Sequence, residues 1–151
     1  EESLLLALLS VGFRLPQKSV LVSVGKREDK IYMLGSFQTL HRLGFTLFGT
    51  TRTHEFLQAH QLPSALLYRV SERRSPNIRE YLEARRIDLV INIPKHYGSQ
   101  ELTDGYIIRR LAVDRNIPII TNVQLGKRFI EALEKVRVED IQVKSWSAFQ
   151  R

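Results

Sequence analysis

The sequence predicts an α/β fold of three layers: a five-stranded parallel sheet with helices on both faces. Three observations predict it. Short apolar runs alternate with segments of helical period along most of the 151 residues. One run, IDLVINI at 87–93, is almost continuously apolar, as a strand covered on both faces must be. Polar side chains recur at or just after the predicted strand ends, the rim where ligands bind in such sheets. The length suits one compact domain, large enough to hide roughly 70% of the surface of its unfolded chain.

The elements follow in order. Residues 4–11 read as a short helix stopped by Gly12, with the connector Arg14-Leu15-Pro16-Gln17-Lys18 behind it. The apolar run at 4–9 is no secretory signal, because Glu1 and Glu2 stand where positive charge belongs and no small-residue cleavage site follows. It is expected to be the tail of something larger. Residues 20–24 form the first strand, and 31–43 a helix with Ile31, Leu34, Phe37 and Leu40 inward, capped by Gly44. The second strand is 46–48, and the helix 53–60 closes before Pro63. A weaker strand spans 65–70; Ser75 as N-cap and Pro76 in the first turn then open a helix that buries Ile78, Tyr81 and Leu82. After the strand at 87–93 comes a helix at 106–115 with Ile107, Ile108, Leu111 and Ala112 inward. The fifth strand is 117–121, and a last helix, 125–136, aligns Leu125, Phe129, Leu133 and Val136. Trp146 and Phe149 mark a tail expected to pack back on the body.

Composition narrows the function. There is no Cys, which excludes disulfide and thiolate chemistry and suits a reducing cytoplasm. The net charge of +7 suits anionic partners. A nucleic-acid-binding module driven by that charge is the lesser alternative; yet the basic residues are scattered, no run of five like charges occurs, and aromatic residues are not interleaved with them, so no nucleic-acid partner is expected. No apolar run approaches the roughly 18 residues a membrane span needs, and no membrane partner is expected.

The densest functional signal is FGTTRT, 48–53. A strand, a tight turn at Gly49, hydroxyls on Thr50, Thr51 and Thr53, and the amides of a following helix together suit a phosphate or carboxylate. The competing reading is a plain strand-to-helix turn with a Thr N-cap. Ser23, Arg69 and Asn92 lie at other predicted strand ends. Lys30 opens the first crossover helix, either to reach a phosphate above the sheet or as an ordinary exposed lysine. Arg69 either forks onto an anion or ends a solvated edge. Asn92 sits inside an apolar strand and must find partners, whether loop backbone or a ligand. Catalytic patterns are missing: the four His residues lack metal spacing, and neither HExxH, GxSxG, a P-loop nor GxGxxG occurs. Asp88 falls at the opposite end of its strand, and Asp29, Asp104 and Asp114 fall at helix starts or faces. The residues describe an anion-binding module with no catalytic residues, no metal site and no cofactor of its own.

Four pieces, LSVGFRLPQKSVLVSVG, LGFTLFGTTRTHEFL, IDLVINIPK and YIIRRLAVDRNIPIITNVQLGKRFIEAL, resemble in order the methylglyoxal-synthase-like domain. The version they resemble most closely ends the large subunit of glutamine-dependent carbamoyl phosphate synthetase. The resemblance implies a five-stranded parallel sheet and an allosteric, effector-binding role without chemistry. It divides the chain into a connector from the preceding synthetase domain at 1–18, the regulatory domain at 19–138 and a packed tail at 139–151. It implies effector contacts at Ser23, Lys30, Thr50, Thr53, Arg69 and Asn92. UMP, IMP, phosphoribosyl pyrophosphate and N-acetylglutamate are the effectors of such domains. The charge of Arg69 favours a phosphorylated, nucleotide-type effector. IDLVINIP and NIPIITN resemble the N-acetylglutamate branch equally, and Lys95 departs from both patterns. The implied parent is a ligase using ATP with Mg or Mn, with a glutaminase subunit as partner, serving pyrimidine and arginine biosynthesis. Methylglyoxal synthase itself is the alternative; it needs an Asp after the third strand, where this chain reads RVSERRSPN. A nucleotide cyclohydrolase shares the early strand and turn but needs a longer continuation.

Overall fold

A computed structural model describes residues 2–10, 18–95 and 99–135. Helix α1, Glu2–Ser10, precedes β1, Ser19–Val24, then α2, Arg27–Arg42, β2, Thr46–Gly49, and α3, Thr51–Ala59. Next come β3, Ala65–Leu66, a 3₁₀ turn at Val70–Glu72, α4, Ile78–Glu83, and β4, Leu89–Ile93. Helix α5, Ser99–Asp114, β5, Ile119–Ile120, and α6, Val123–Lys135, complete the order.

The five strands are all parallel, in the order β3-β2-β1-β4-β5. The chain works outwards from β1 to β3, then returns to place β4 on the other side of β1. The order therefore reverses between β1 and β4, and their carboxyl ends flank the switch point. Every residue of β1 and β4 is buried. The alternation of strand side chains divides the core in two. Val20, Val22, Leu89 and Ile91 pack with Met33, Phe37, Leu57 and Phe129, so α2, α3 and α6 cover one face. Leu21 and Val90 pack with Ile78, Leu82, Ile108 and Leu111, so α4 and α5 cover the other. The predicted three layers are present.

The two ends of the sheet differ. At the amino end Asp88 is structural: its Oδ2 accepts the backbone N–H groups of Lys18 and Ser19, both at 2.9 Å. At the carboxyl end the backbones of two loops nearly touch. The Gly25 N–H donates to Ile93 O at 2.8 Å, and a Cβ at Gly25 would lie 2.3 Å from Lys95 N, so this position excludes a side chain. Gly44 ends the α2 region with φ 95°, as a C-terminal glycine does.

Several expectations are corrected. Helix α2 begins at Arg27, which turns its buried stripe to Lys30, Met33, Phe37 and Leu40 and leaves Ile31 54% exposed. Asn77, not Ser75, caps α4: its Oδ1 accepts from Glu80 N at 3.0 Å, while Ser75 Oγ donates to Glu80 Oε2. Strands β3 and β5 are two residues each, shorter than the expected 65–70 and 117–121, because only Ala65 and Leu66, and Ile119 and Ile120, pair in register with a neighbour. Helix α5 starts at Ser99, seven residues before the expected 106, and α3 starts at Thr51. Leu125 is exposed on α6. Gly12, Val136 and the tail with Trp146 and Phe149 lie outside the described residues.

Candidate functional site at the carboxyl rim

The candidate residues stand on the rim flanking the switch point. Thr50 occupies the N-cap position of α3, yet its hydroxyl makes no capping bond. It donates instead to Ser23 Oγ at 3.0 Å, joining the ends of β1 and β2. The plain N-cap reading of the turn therefore fails, and the first amides of α3 have no side-chain cap. The Thr53 hydroxyl accepts from Val24 N at 3.1 Å and is 3.3 Å from Val24 O, so it ties the first turn of α3 to the end of β1. Its role is to place the turn. Thr51 Oγ1 is buried without a hydrogen-bond partner among the described residues.

Ser23 and Asn92 are register partners on β1 and β4, so their side chains share the face covered by α5. Asn92 lies under Gly105 of α5, where an added Cβ would stand 3.6 Å from its Nδ2. Ser23, Arg69, Asn92, Lys95 and Asp104 line one recess at this point. The enclosed space is about 20 Å³, room for about one water.

Lys30 does not line that recess. It reaches the rim from the other face of the sheet and is only 7% exposed. Burial first, then the charges of Arg52, Lys95 and Arg27, push its ammonium below the ordinary value, with Glu55 opposing them. Among the described residues, no carboxylate stands at ion-pair distance from these four cations. An excess of positive over negative charge at one place attracts anions.

The structure thus groups Ser23, Arg69 and Asn92 directly, adds Thr50 through Ser23, and sets Lys30 beside them in the cationic cluster with Lys95. Thr53 is the candidate whose hydroxyl is committed to backbone. Asp104 went unrecognised. It is 7% exposed and enters the recess from α5, where its Oδ2 accepts from Ser71 Oγ at 3.0 Å. Its signal was legible: Asp104, Ile108 and Leu111 follow helical spacing, so the inward stripe extends one turn further back. Among the described residues no three His, Asp or Glu side chains gather as a metal site, and no helix is long and apolar enough to cross a membrane.

The model of the MGS-like domain family matches residues 32–121, more than half of the chain. The chain is 36% identical over 148 residues to multifunctional protein pyr-3 of Neurospora crassa, covering 93% of the chain and 8% of that protein. It is 38% identical over 138 residues to the mitochondrial carbamoyl-phosphate synthase [ammonia] of Homo sapiens, covering 89% of the chain and 9% of that protein. Similarity to multifunctional protein CAD of Squalus acanthias is 36% over 149 residues, covering 89% and 7%. The chain thus spans less than a tenth of the length of these relatives. Methylglyoxal synthase from Elizabethkingia anophelis superposes with a TM-score of 0.55 at 14% identity, over 77% of this chain and 79% of that one, which shows a shared fold. By its family match and its relatives, the chain belongs to the MGS-like domain family.

Proposed function

We propose that the chain is the allosteric effector-binding domain of a carbamoyl phosphate synthetase, and that its effector is a phosphorylated, nucleotide-type metabolite such as UMP or IMP. The observation that carries this is the excess of positive charge about the buried Lys30, where Arg52, Lys95 and Arg27 outnumber Glu55 and no described carboxylate stands at ion-pair distance, together with the Ser23–Thr50 hydroxyl pair. The cations suit a phosphate, and Asn92 with the buried Asp104, in the same recess as Arg69 and Lys95, adds acceptors for hydroxyl or ring N–H groups. N-acetylglutamate, with two carboxylates and no hydroxyl, fits that set less well than a nucleoside monophosphate.

On this reading residues 1–18 lead in from the preceding synthetase domain, 19–138 bind the effector and 139–151 pack on the body. The parent enzyme makes carbamoyl phosphate from bicarbonate, ammonia and ATP with Mg or Mn, works with a glutaminase, and resides in the cytoplasm. Relatives named mitochondrial carry the same domain, so location is tested separately, by fractionation. Regulation follows if the effector binds more tightly when the domain holds one arrangement against the synthetase; 1–3 kcal/mol of such coupling, roughly 5- to 150-fold in affinity, is usual.

Calorimetric titration of the chain with UMP, IMP, phosphoribosyl pyrophosphate and N-acetylglutamate tests the reading. Binding of a phosphate-bearing ligand, weakened in Thr50→Ala and in Lys30→Ala, is expected. Unchanged binding in both variants places the ligand elsewhere, and N-acetylglutamate binding alone reverses the effector class. Asp104 keeps one other reading open, a lyase acting on a triose phosphate. Phosphate release from dihydroxyacetone phosphate that is lost in Asp104→Asn would establish it.

A further inference from the structure

The segment between β3 and α4 is a small loop held at two places. Its neck is closed by an isolated bridge between Tyr68 and Asn77, with Tyr68 N donating to Pro76 O and Ile78 N to Tyr68 O, both at 2.9 Å. Farther out, the 3₁₀ turn packs against α5, where Ser71 Oγ donates to Asp104 Oδ2 at 3.0 Å. Arg69, which lines the recess, is the residue just before that turn. Its backbone N–H donates to Glu72 Oε1 at 3.1 Å, and its carbonyl accepts from Glu72 N at 3.1 Å. The backbone of Arg69 is therefore locked to the turn, and the turn is bonded to α5 through Ser71.

We infer that Ser71 is a positioning residue for ligand binding: by bonding Asp104 it seats the turn on α5 and so places the Arg69 guanidinium over the recess. This rests on the anion-binding reading of the rim. Ser71 is exposed and touches no ligand on this account. Compact loops pinned at their neck and packed by their own side chains often carry function. Here the loop has Arg69 on its inner side, while Arg73 and Arg74 are exposed on its outer side, with Arg74 lying over the Tyr68 ring at 4.3 Å. A bonded turn holds Arg69 in one place. A freed turn leaves it to sample several, and the ligand must then order it at a cost in affinity.

The test uses the 151-residue chain with UMP and IMP as probes. Ser71→Ala is expected to weaken binding roughly 3- to 10-fold, the scale of one ordinary hydrogen bond lost. Ser71→Thr keeps the hydroxyl and restores it. Because Ser71 acts through Arg69, adding Ser71→Ala to Arg69→Ala weakens binding no further. Hydrogen exchange at residues 70–74 quickens in Ser71→Ala while the unfolding midpoint falls by no more than about 2–4 °C. Wild-type binding of neither probe overturns the rim reading and this inference together. Wild-type binding that Ser71→Ala leaves unchanged, or losses that add in full in the double variant, overturn the inference alone.

Discussion

At the residue scale, Lys30 carries the tension between stability and binding. Its buried ammonium faces three cations, so the folded protein holds that proton less tightly than the unfolded chain does. The unfolded state then binds more protons between the lowered pKa and the ordinary 10.5, and stability rises with pH across that window. Replacing Lys30 with Met keeps the stem and removes the charge. At neutral pH the variant is expected to melt higher, by about 2–4 °C for each 1 kcal/mol relieved in a chain of this size. It should also lose the alkaline rise in stability and bind a phosphate ligand at least about tenfold less well. Thermal melts from pH 7 upwards, with titration alongside, check all three. A variant that melts lower would show the lysine to be a structural prop. The same residue shows what the sequence withheld. Lys30 was legible as a candidate, but its burial follows from where α2 begins, and the start of α2 has no N-cap side chain to announce it.

At the element scale, local chemistry decided boundaries that periodicity alone misplaced. In RRSPNIRE both Ser75 and Asn77 are good N-caps, and the proline argued for the first. The structure selects Asn77, because its Oδ1 reaches Glu80 N while its Nδ2 donates to Glu80 Oε1 at 2.9 Å. Asn77→Ala should therefore cost about 1 kcal/mol and lower the midpoint by roughly 2–4 °C. Ser75→Ala, which loses an exposed bond to Glu80, should cost less than half of that. Urea denaturation of the two variants ranks them, and the reverse order would return the cap to Ser75. The strands β1 and β4 were legible because burial on both faces writes an unbroken apolar run. The edge strands were overdrawn because an apolar run also continues beyond the paired residues, as at Leu67 and Ile117, which are buried but have no register partner on the neighbouring strand. Asp104 was overlooked for a related reason: α5 reaches back to Ser99 through polar residues that read as loop.

At the scale of the whole molecule, the candidate site comes together because the strand order reverses. Ser23, Thr50 and Asn92 are separated along the chain, and the order β2-β1-β4 makes them neighbours. The sequence could nominate each by its place at a strand end, since that rule needs no knowledge of strand order. It could not say that Lys30 approaches from one face while Arg69 and Asp104 approach from the other, because that depends on which helices cover which face. This arrangement makes a prediction about where a ligand is felt. A phosphate ester on the rim contacts the ends of β1, β2 and β4 at once, so it should slow amide exchange at 23–25, 49–54 and 92–95. The amino end, where Asp88 staples Lys18 and Ser19, already holds its backbone groups without a ligand and should exchange unchanged. Exchange measured by mass spectrometry with and without saturating UMP or IMP separates the two ends. Ligand concentration matters: about a hundred times Kd adds about 2.7 kcal/mol to global stability, which slows the most protected amides everywhere. The comparison therefore belongs to amides that open locally, whose protection reports contact at their own site. Protection confined to the rim means that the ligand sits at the strand-order reversal, whereas protection centred on 18–20 and 86–89 would move the site to the opposite end of the sheet.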